Sequence, residues 1–305
     1  MQAIEVAQPK TDEWYAARKT GIGASEIAAA AGLSRYSTPF EVYCRKRGEL
    51  PEFEGNAATR LGNKLEPIVV SEFVESTGIN VRRYPVPMLR HPKFAFVLAT
   101  PDAELESDEV LEVKTTNWRV AKVDYGDEDS DFIPQEYLCQ AQIQMAVTGY
   151  LVCRFAVLVD GRELKTYQVE RNDSLIDGLI GAASDLWKRI ENGDPPEPTW
   201  HHPSTLDLMK DLYRNVDPGK VVSLSDAARD AWAKYEELGK QSKQISDDRD
   251  AAKARVLAEI GDAAAGDLAD GRCVRRSVIE KAPYTVTPTP YVDVRAVKLA
   301  TFMKG

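Results

Sequence analysis

Two hydrophobic rhythms run through the chain. Between Val110 and Lys114 apolar and polar residues follow the period-two rhythm of a half-buried strand. On such a strand Glu112 and Lys114 share one face and Leu111 and Val113 the other. Upstream, Phe94–Leu98 is a continuous apolar, β-favouring run that ends in a turn at Pro101, and polar Asp108 separates the two runs. A hairpin pairing them is expected to bring Asp102 beside Glu112.

Three-and-four spacing marks the helices. Leu61, Leu65, Ile68, Val69 and Phe73 form the apolar stripe of a helix over residues 56–77, stopped by Gly78. Glu66 flanks that stripe, where a carboxylate is either solvated or turned inward; the sequence by itself favours the solvated flank. Residues 14–30 predict a short helix, a glycine turn and a second helix starting at a Ser25 cap. Residues 134–150 predict a helix that begins after Pro134 and carries Gln140, Gln142 and Gln144. A hairpin across Asp160-Gly161 follows, then an amphipathic helix over 174–192 that ends at Gly193.

The stretch Asp194-Pro-Pro-Glu-Pro198 predicts a boundary. Before it, helices and strand pairs alternate as in an α/β fold with a mixed central sheet flanked by helices, giving a domain over 1–198. After it comes an extension over 199–305. Residues 223–260 are strongly helical there, with Ala228, Trp232, Tyr235 and Leu238 at helical spacing, as one long helix or a hairpin broken near Gly239. Short strands are expected at 271–278 and 284–294.

Composition narrows the classes. The 305 residues are 43% hydrophobic and 29% charged, as in soluble globular proteins. No apolar run approaches the ~20 residues of a membrane helix, and the N-terminus lacks the order of a signal peptide, so a cytoplasmic protein is expected. Four scattered cysteines without a CxxC pair and only three histidines argue against zinc. A net charge of −9 counts against a passive, non-specific nucleic-acid binder. It leaves room for an enzyme with clustered basic groups, because the local field decides steering.

The candidate chemistry lies in Pro101-Asp102, nine intervening residues, and Glu112-Val113-Lys114. Two carboxylates held close repel, and a divalent cation relieves that repulsion; hard oxygen ligands suit Mg²⁺ or Mn²⁺. A lysine two residues on can orient or deprotonate a water, or neutralise charge at a phosphoryl group. Together these residues describe metal-assisted phosphodiester hydrolysis. Arg18 one helix before a Ser25 cap makes an anion site with phosphate as its obvious guest. Surface hairpins also carry Asp, Glu and Lys, so the order of several blocks along the chain has to decide.

Five blocks occur in order: Trp14…Arg18…Gly21-Ile-Gly-Ala-Ser25, Leu61-Gly62-Asn-Lys-Leu-Glu66, Thr100-Pro-Asp102, Leu111-Glu-Val-Lys114 and Cys139-Gln-Ala-Gln142. Over residues 10–195 they resemble the YqaJ family of phage recombination exonucleases, related to lambda exonuclease within the PD-(D/E)xK nuclease fold. The resemblance implies Asp102, Glu112 and the Val113 carbonyl as metal ligands for two Mg²⁺ ions, with Mn²⁺ as a substitute. It implies that Glu66 contributes through a metal-bound water, which reverses its plainer reading. Lys114 would position the nucleophilic water and Gln142, rather than Gln140, would hold Lys114 or that water. Arg18, Ser25 and Thr100 would form a pocket for the DNA 5′-phosphate, and Arg119 is the nearest candidate for a further basic pocket residue. The implied activity is a 5′→3′ exonuclease on linear double-stranded DNA that leaves a 3′ single strand. The resemblance also implies a homotrimeric ring threaded by DNA, a single-strand annealing protein as partner, and a phage- or prophage-encoded protein in a bacterial host. Two competing readings use the same residues differently: a structure-specific endonuclease, and a non-catalytic DNA-end-binding protein in which the carboxylates are incidental.

Overall fold

The computed structural model describes residues 3–50, 55–217 and 219–280; the strand expected at 284–294 lies outside them. The chain divides into two compact units, Met1–Arg214 and Asn215–Gly305.

The first unit opens with β1 (Ile4–Ala7), α1 (Asp12–Arg18), β2 (Ile22–Gly23), a 3₁₀ turn at Ala24–Glu26, α2 (Ile27–Ala30) and α3 (Pro39–Lys46). Thr11 and Thr38 cap α1 and α3 by accepting the Trp14 and Glu41 amides, and Pro39 fits the first turn of α3. α4 (Ala57–Thr77) is capped by Asn56 and ends at Gly78, whose φ of 71° few other residues adopt without strain. Five short strands follow: β3 (Val81–Arg83), β4 (Met88–Arg90), β5 (Val97–Ala99), β6 (Ala103–Leu105) and the longer β7 (Val110–Thr116). The unit continues with α5 (Trp118–Asp124), α6 (Gln135–Thr148), β8 (Val152–Val159), β9 (Glu163–Glu170), α7 (Asp173–Asn192) and α8 (Thr205–Leu212).

Two mixed sheets result. The larger has the order β3-β6-β7-β8-β9, and only β7 and β8 run parallel, in register from Val110↔Cys153 to Thr116↔Val159. A parallel pair needs a crossover, and α5 and α6 supply it. The smaller sheet has the order β1-β4-β5-β2.

This arrangement corrects the expected hairpin. The apolar run before Pro101 forms β5 in the smaller sheet, whereas the partner of β7 is β6, with Ala103↔Leu111 and Glu104↔Val110 paired. Pro101 has no N–H to continue a ladder, and the chain changes sheets there. Asp102 therefore sits on the step between the two sheets.

α4 covers one face of the larger sheet and α6 the other. Val69, Val70 and Phe73 pack with Leu111, Val113 and Ala156; Ala141 and Met145 pack with Val110, Phe155 and Val157. The stripe expected on α4 is thus only partly right, since Leu61 and Ile68 are 57% and 59% exposed. Cys139–Val147 of α6 is buried throughout, because this helix is enclosed by the sheet on one side and by α2 and α7 on the other.

The boundary expected at Pro198 also moves. Thr205 and Leu208 of α8 are buried, Leu208 joins the core of α2, α3 and α7, and His202 Nε2 lies 3.0 Å from the Ser34 carbonyl. These contacts tie the chain after the prolines into the first unit, which ends at Arg214. In the second unit α9 (Asp226–Ile260) runs unbroken through Gly239, and β10 (Ala265–Asp267) pairs antiparallel with β11 (Cys273–Arg275). Among the described residues no helix is long and apolar enough to cross a membrane.

Candidate active site

Period-two alternation on β7 turns Glu112 and Lys114 toward α6. Glu112 is 2% exposed and both of its oxygens are engaged. Oε1 accepts from Lys114 Nζ at 2.6 Å and from Gln140 Nε2 at 2.5 Å, while Oε2 accepts from Gln144 Nε2 at 2.6 Å. Lys114 Nζ also donates to Gln140 Oε1 at 3.3 Å and lies 4.5 Å from the Tyr137 ring centre. Asp102 Oδ2 accepts the Val113 amide at 2.7 Å across the strand pair.

The electrostatics of this group are set by burial and like charge. Burial and the Glu112 charge push the Asp102 carboxyl well above its usual range, against the opposing pull of Lys114 and the Val113 N–H; Glu66 adds to the rise. Burial alone would lower the Lys114 ammonium, but Glu112 and Asp102 outweigh it and hold Lys114 above the ordinary lysine value. The two carboxylates thereby favour the cationic form of Lys114. Glu66 is turned inward: Tyr84 donates its hydroxyl to Glu66 Oε1 at 3.4 Å, and burial together with the Glu66 charge pushes the phenol up to about 12.

The expected glutamine is corrected. Gln140 and Gln144 are four residues apart and share a helix face, whereas Gln142 projects from the opposite side. There Gln142 donates to the Glu170 carbonyl at 2.8 Å and accepts the Asn172 amide at 2.7 Å, which ties α6 to the start of α7. Gln144 was not expected at the site; its pairing with Gln140 is readable from the four-residue spacing.

The other wall comes from the N-terminal elements. Arg18, at the end of α1, lies 4.8 Å from the Trp14 ring centre, and Trp14 Nε1 donates to Thr100 Oγ1 at 3.3 Å. Ser25 falls in the 3₁₀ turn and does not cap α2, which is only four residues long. The carboxylate in this wall is Glu26, which accepts from Gly23 N at 2.9 Å and from Lys46 Nζ at 2.7 Å and lies 3.7 Å from Arg18. Burial pushes the Glu26 carboxyl up, yet Lys46 and Arg18 outweigh it and hold it below the usual range.

Arg18, Ser25, Glu66, Thr100, Asp102 and Gln140 line one cavity of about 380 Å³. Glu112 and Lys114 stand behind its Gln140 and Gln144 wall. Arg119 is not brought in: it is exposed on α5 and lies against Trp118, 5.5 Å from the ring centre.

The donor set of Asp102, Glu112, Glu66 and the Val113 carbonyl is all hard oxygen, as Mg²⁺ and Mn²⁺ require. Among the described residues no three His, Cys, Asp or Glu side chains form a cage of their own.

Comparison with known proteins agrees with this layout. The YqaJ-like viral recombinase domain matches residues 13–151. An alkaline exonuclease from Laribacter hongkongensis, LHK-Exo, superposes with a TM-score of 0.50 at 26% identity, covering 60% of this chain and 94% of that one. The fold is accordingly that of the PD-(D/E)xK phage-type exonucleases. The YqaJ protein of Bacillus subtilis (strain 168) is 30% identical over 273 residues, 88% of this chain and 84% of its own length. That span exceeds the 214 residues of the first unit, so the likeness reaches into the second. On the strength of both the long match and the domain match, the chain belongs to the YqaJ-like viral recombinase family.

Proposed function

We propose that this protein is a divalent-metal-dependent exonuclease that degrades linear double-stranded DNA in the 5′→3′ direction from 5′-phosphorylated ends, leaving a 3′ single strand for recombination. The observation that carries this reading is one cavity lined by an arginine with two hydroxyl side chains and also by Asp102 and Glu66, with Glu112 and Lys114 directly behind. The likeness to an alkaline exonuclease supports DNA hydrolysis as the chemistry.

Arg18, Ser25 and Thr100 receive the terminal phosphate. Trp14 serves both ends of that receptor, lying under the guanidinium and donating to Thr100. Asp102, Glu112, the Val113 carbonyl and Glu66 would hold two Mg²⁺ or Mn²⁺ ions, whose charge would offset the negative charge that builds on the phosphoryl group. The Lys114 ammonium orients the attacking water through a donated hydrogen bond and adds fixed positive charge beside the reacting phosphorus. Gln140 sets the lysine, since its Oε1 accepts from Nζ while its Nε2 fixes the carboxylate that Nζ also contacts. Gln144 clamps the other oxygen of Glu112. Attack breaks the bond from phosphorus to the 3′ oxygen of the terminal nucleotide, so the strand that remains again carries a 5′-phosphate. A homotrimeric ring around the duplex and a single-strand annealing protein that takes the exposed strand complete the proposal.

The test is digestion of a 5′-phosphorylated linear duplex and of covalently closed plasmid in Mg²⁺, with Lys114→Ala alongside. Progressive loss of the linear substrate alone, abolished by the substitution and by chelation, is expected. Cutting of the closed circle would replace the reading with an endonuclease, and no metal-dependent cutting of either would remove the enzyme reading.

A further inference from the structure

Lys46 lies far from the reacting carboxylates in sequence, yet its side chain is only 5% exposed. Its ammonium donates to the Arg18 carbonyl and to Glu26 Oε2, both at 2.7 Å. Glu26 also accepts the Gly23 amide at 2.9 Å. The carboxylate is thereby supplied with short partners, and Arg18 NH2 stays at 3.7 Å from Glu26 Oε1, beyond hydrogen-bond length. Among the described residues the Arg18 guanidinium donates no hydrogen bond, although it lines the cavity and rests on Trp14.

We propose that Glu26 and Lys46 are positioning residues that keep the Arg18 guanidinium available to the terminal 5′-phosphate, and so set the preference of the protein for phosphorylated ends. This rests on the reading of Arg18 as the phosphate receptor. The two residues act through different contacts. Lys46 anchors the last turn of α1 at the Arg18 carbonyl and satisfies Glu26. Glu26 ties the Gly23 amide, and with it the turn that carries Ser25, to the same ammonium. A buried carboxylate that loses its cation is strongly destabilised. Without Lys46, the nearest remedy is for Arg18 to close the 3.7 Å gap and bind Glu26, which withdraws its donors from the cavity.

The experiment measures the affinities of full-length protein for 5′-phosphorylated and 5′-hydroxyl linear duplexes by fluorescence anisotropy in EDTA. The ratio of the two Kd values is the readout, with folding of each variant checked by circular dichroism. Arg18→Ala is expected to bring the ratio to near 1. Lys46→Met is expected to reduce it by about three- to tenfold, the scale of coupling within one ion-pair network. Lys46→Arg is expected to retain it. The decisive variant is Glu26→Gln with Lys46→Met, which removes the competing carboxylate as well and is expected to recover most of the preference. A wild-type ratio in folded Lys46→Met, or a double variant as poor as Arg18→Ala, overturns the proposal. Because the double variant removes the Glu26 carboxylate together with the ammonium that it faces, it decides the matter even where Lys46→Met fails to fold. An Arg18→Ala protein with the wild-type ratio overturns the phosphate-receptor reading itself, and the positioning role falls with it.

Discussion

Lys114 reaches back along its own strand to Glu112, two residues earlier, with Nζ 2.6 Å from Oε1. Because same-face residues on a strand are neighbours, this contact needs no other element to form it. Glu112 is 3% and Lys114 19% exposed at the side chain, so the pair is shielded from water and breaking it is costly. Lys114→Ala is expected to lower single-turnover cleavage by roughly 10²–10³-fold. It should also lower the unfolding temperature in chelator, since Glu112 is left buried without its cation. Unchanged cleavage would remove Lys114 from the mechanism.

The Asp102 carboxyl, raised by burial and by Glu112, gives stability a defined pH dependence in EDTA. The folded chain keeps a proton that the unfolded chain has released above ~pH 4. Stability from this group is therefore full below that pH and is lost as pH rises toward the folded value. Asp102→Asn should melt higher than wild type at neutral pH in EDTA, by ~2–4 °C for each kcal/mol recovered. The advantage should fade below ~pH 4, and parallel curves for the two proteins would rule out the repulsion.

Glu26 has the opposite sign. Lys46 and Arg18 overcome its burial and hold the carboxyl low, so its stabilisation is present above the unfolded value of ~4.3 and is lost as pH falls through the folded one. Glu26→Gln should flatten the acid limb of a melting-temperature profile between about pH 5 and 2. An unchanged acid limb would mean that the pair is not formed.

The two glutamines should separate by phenotype. Gln140→Ala removes a group that touches both Lys114 and Glu112, and its main effect is expected on the cleavage step. Gln142→Ala removes the partner of the Asn172 amide and of the Glu170 carbonyl, part-buried contacts that join α6 to the start of α7. It should cost about 0.5–1.5 kcal/mol of stability for each bond lost, with cleavage by the folded fraction retained. Parallel denaturation and single-turnover assays distinguish them, and a reversed pattern would return Gln142 to the site.

A truncation maps the boundary. Residues 1–214 should melt cooperatively, because α8 is kept. Ending the chain at Pro198 removes Leu208, which is 6% exposed, together with the His202 contact to Ser34. Burial of one leucine is worth about 2–5 kcal/mol, so a melting temperature lower by ~5 °C or more is expected. Equal melting temperatures would put the boundary back at the prolines.

The parts of the site that were legible in the sequence are those governed by a local period. Alternation placed Glu112 and Lys114 on one face of β7, and Asp102 did arrive beside them, although through β6 and not through the run before Pro101. Helical spacing also held the answer for the glutamines, since residues 140 and 144 share a face that 142 cannot. The inward turn of Glu66 was not legible because it depends on how α4 rotates over the sheet. That rotation buries Val69, Val70 and Phe73 and leaves Leu61 and Ile68 outside. Glu26 and Lys46 are twenty residues apart and meet only because α3 packs beside the turn before α2. The prolines misled because composition cannot tell a linker from a bend that leads back to the core.

The shared cavity has a consequence for how the chain would measure DNA. On the proposed function, the receptor for the end and the groups that cut share one recess, so the span between them is set by the fold and not by the base sequence. Each cut leaves a phosphate on the shortened strand, and that phosphate is what the receptor next requires. On this reading the recess is a ruler, its length sets how much is removed at each step, and the direction of travel follows from which end of the ruler holds the phosphate.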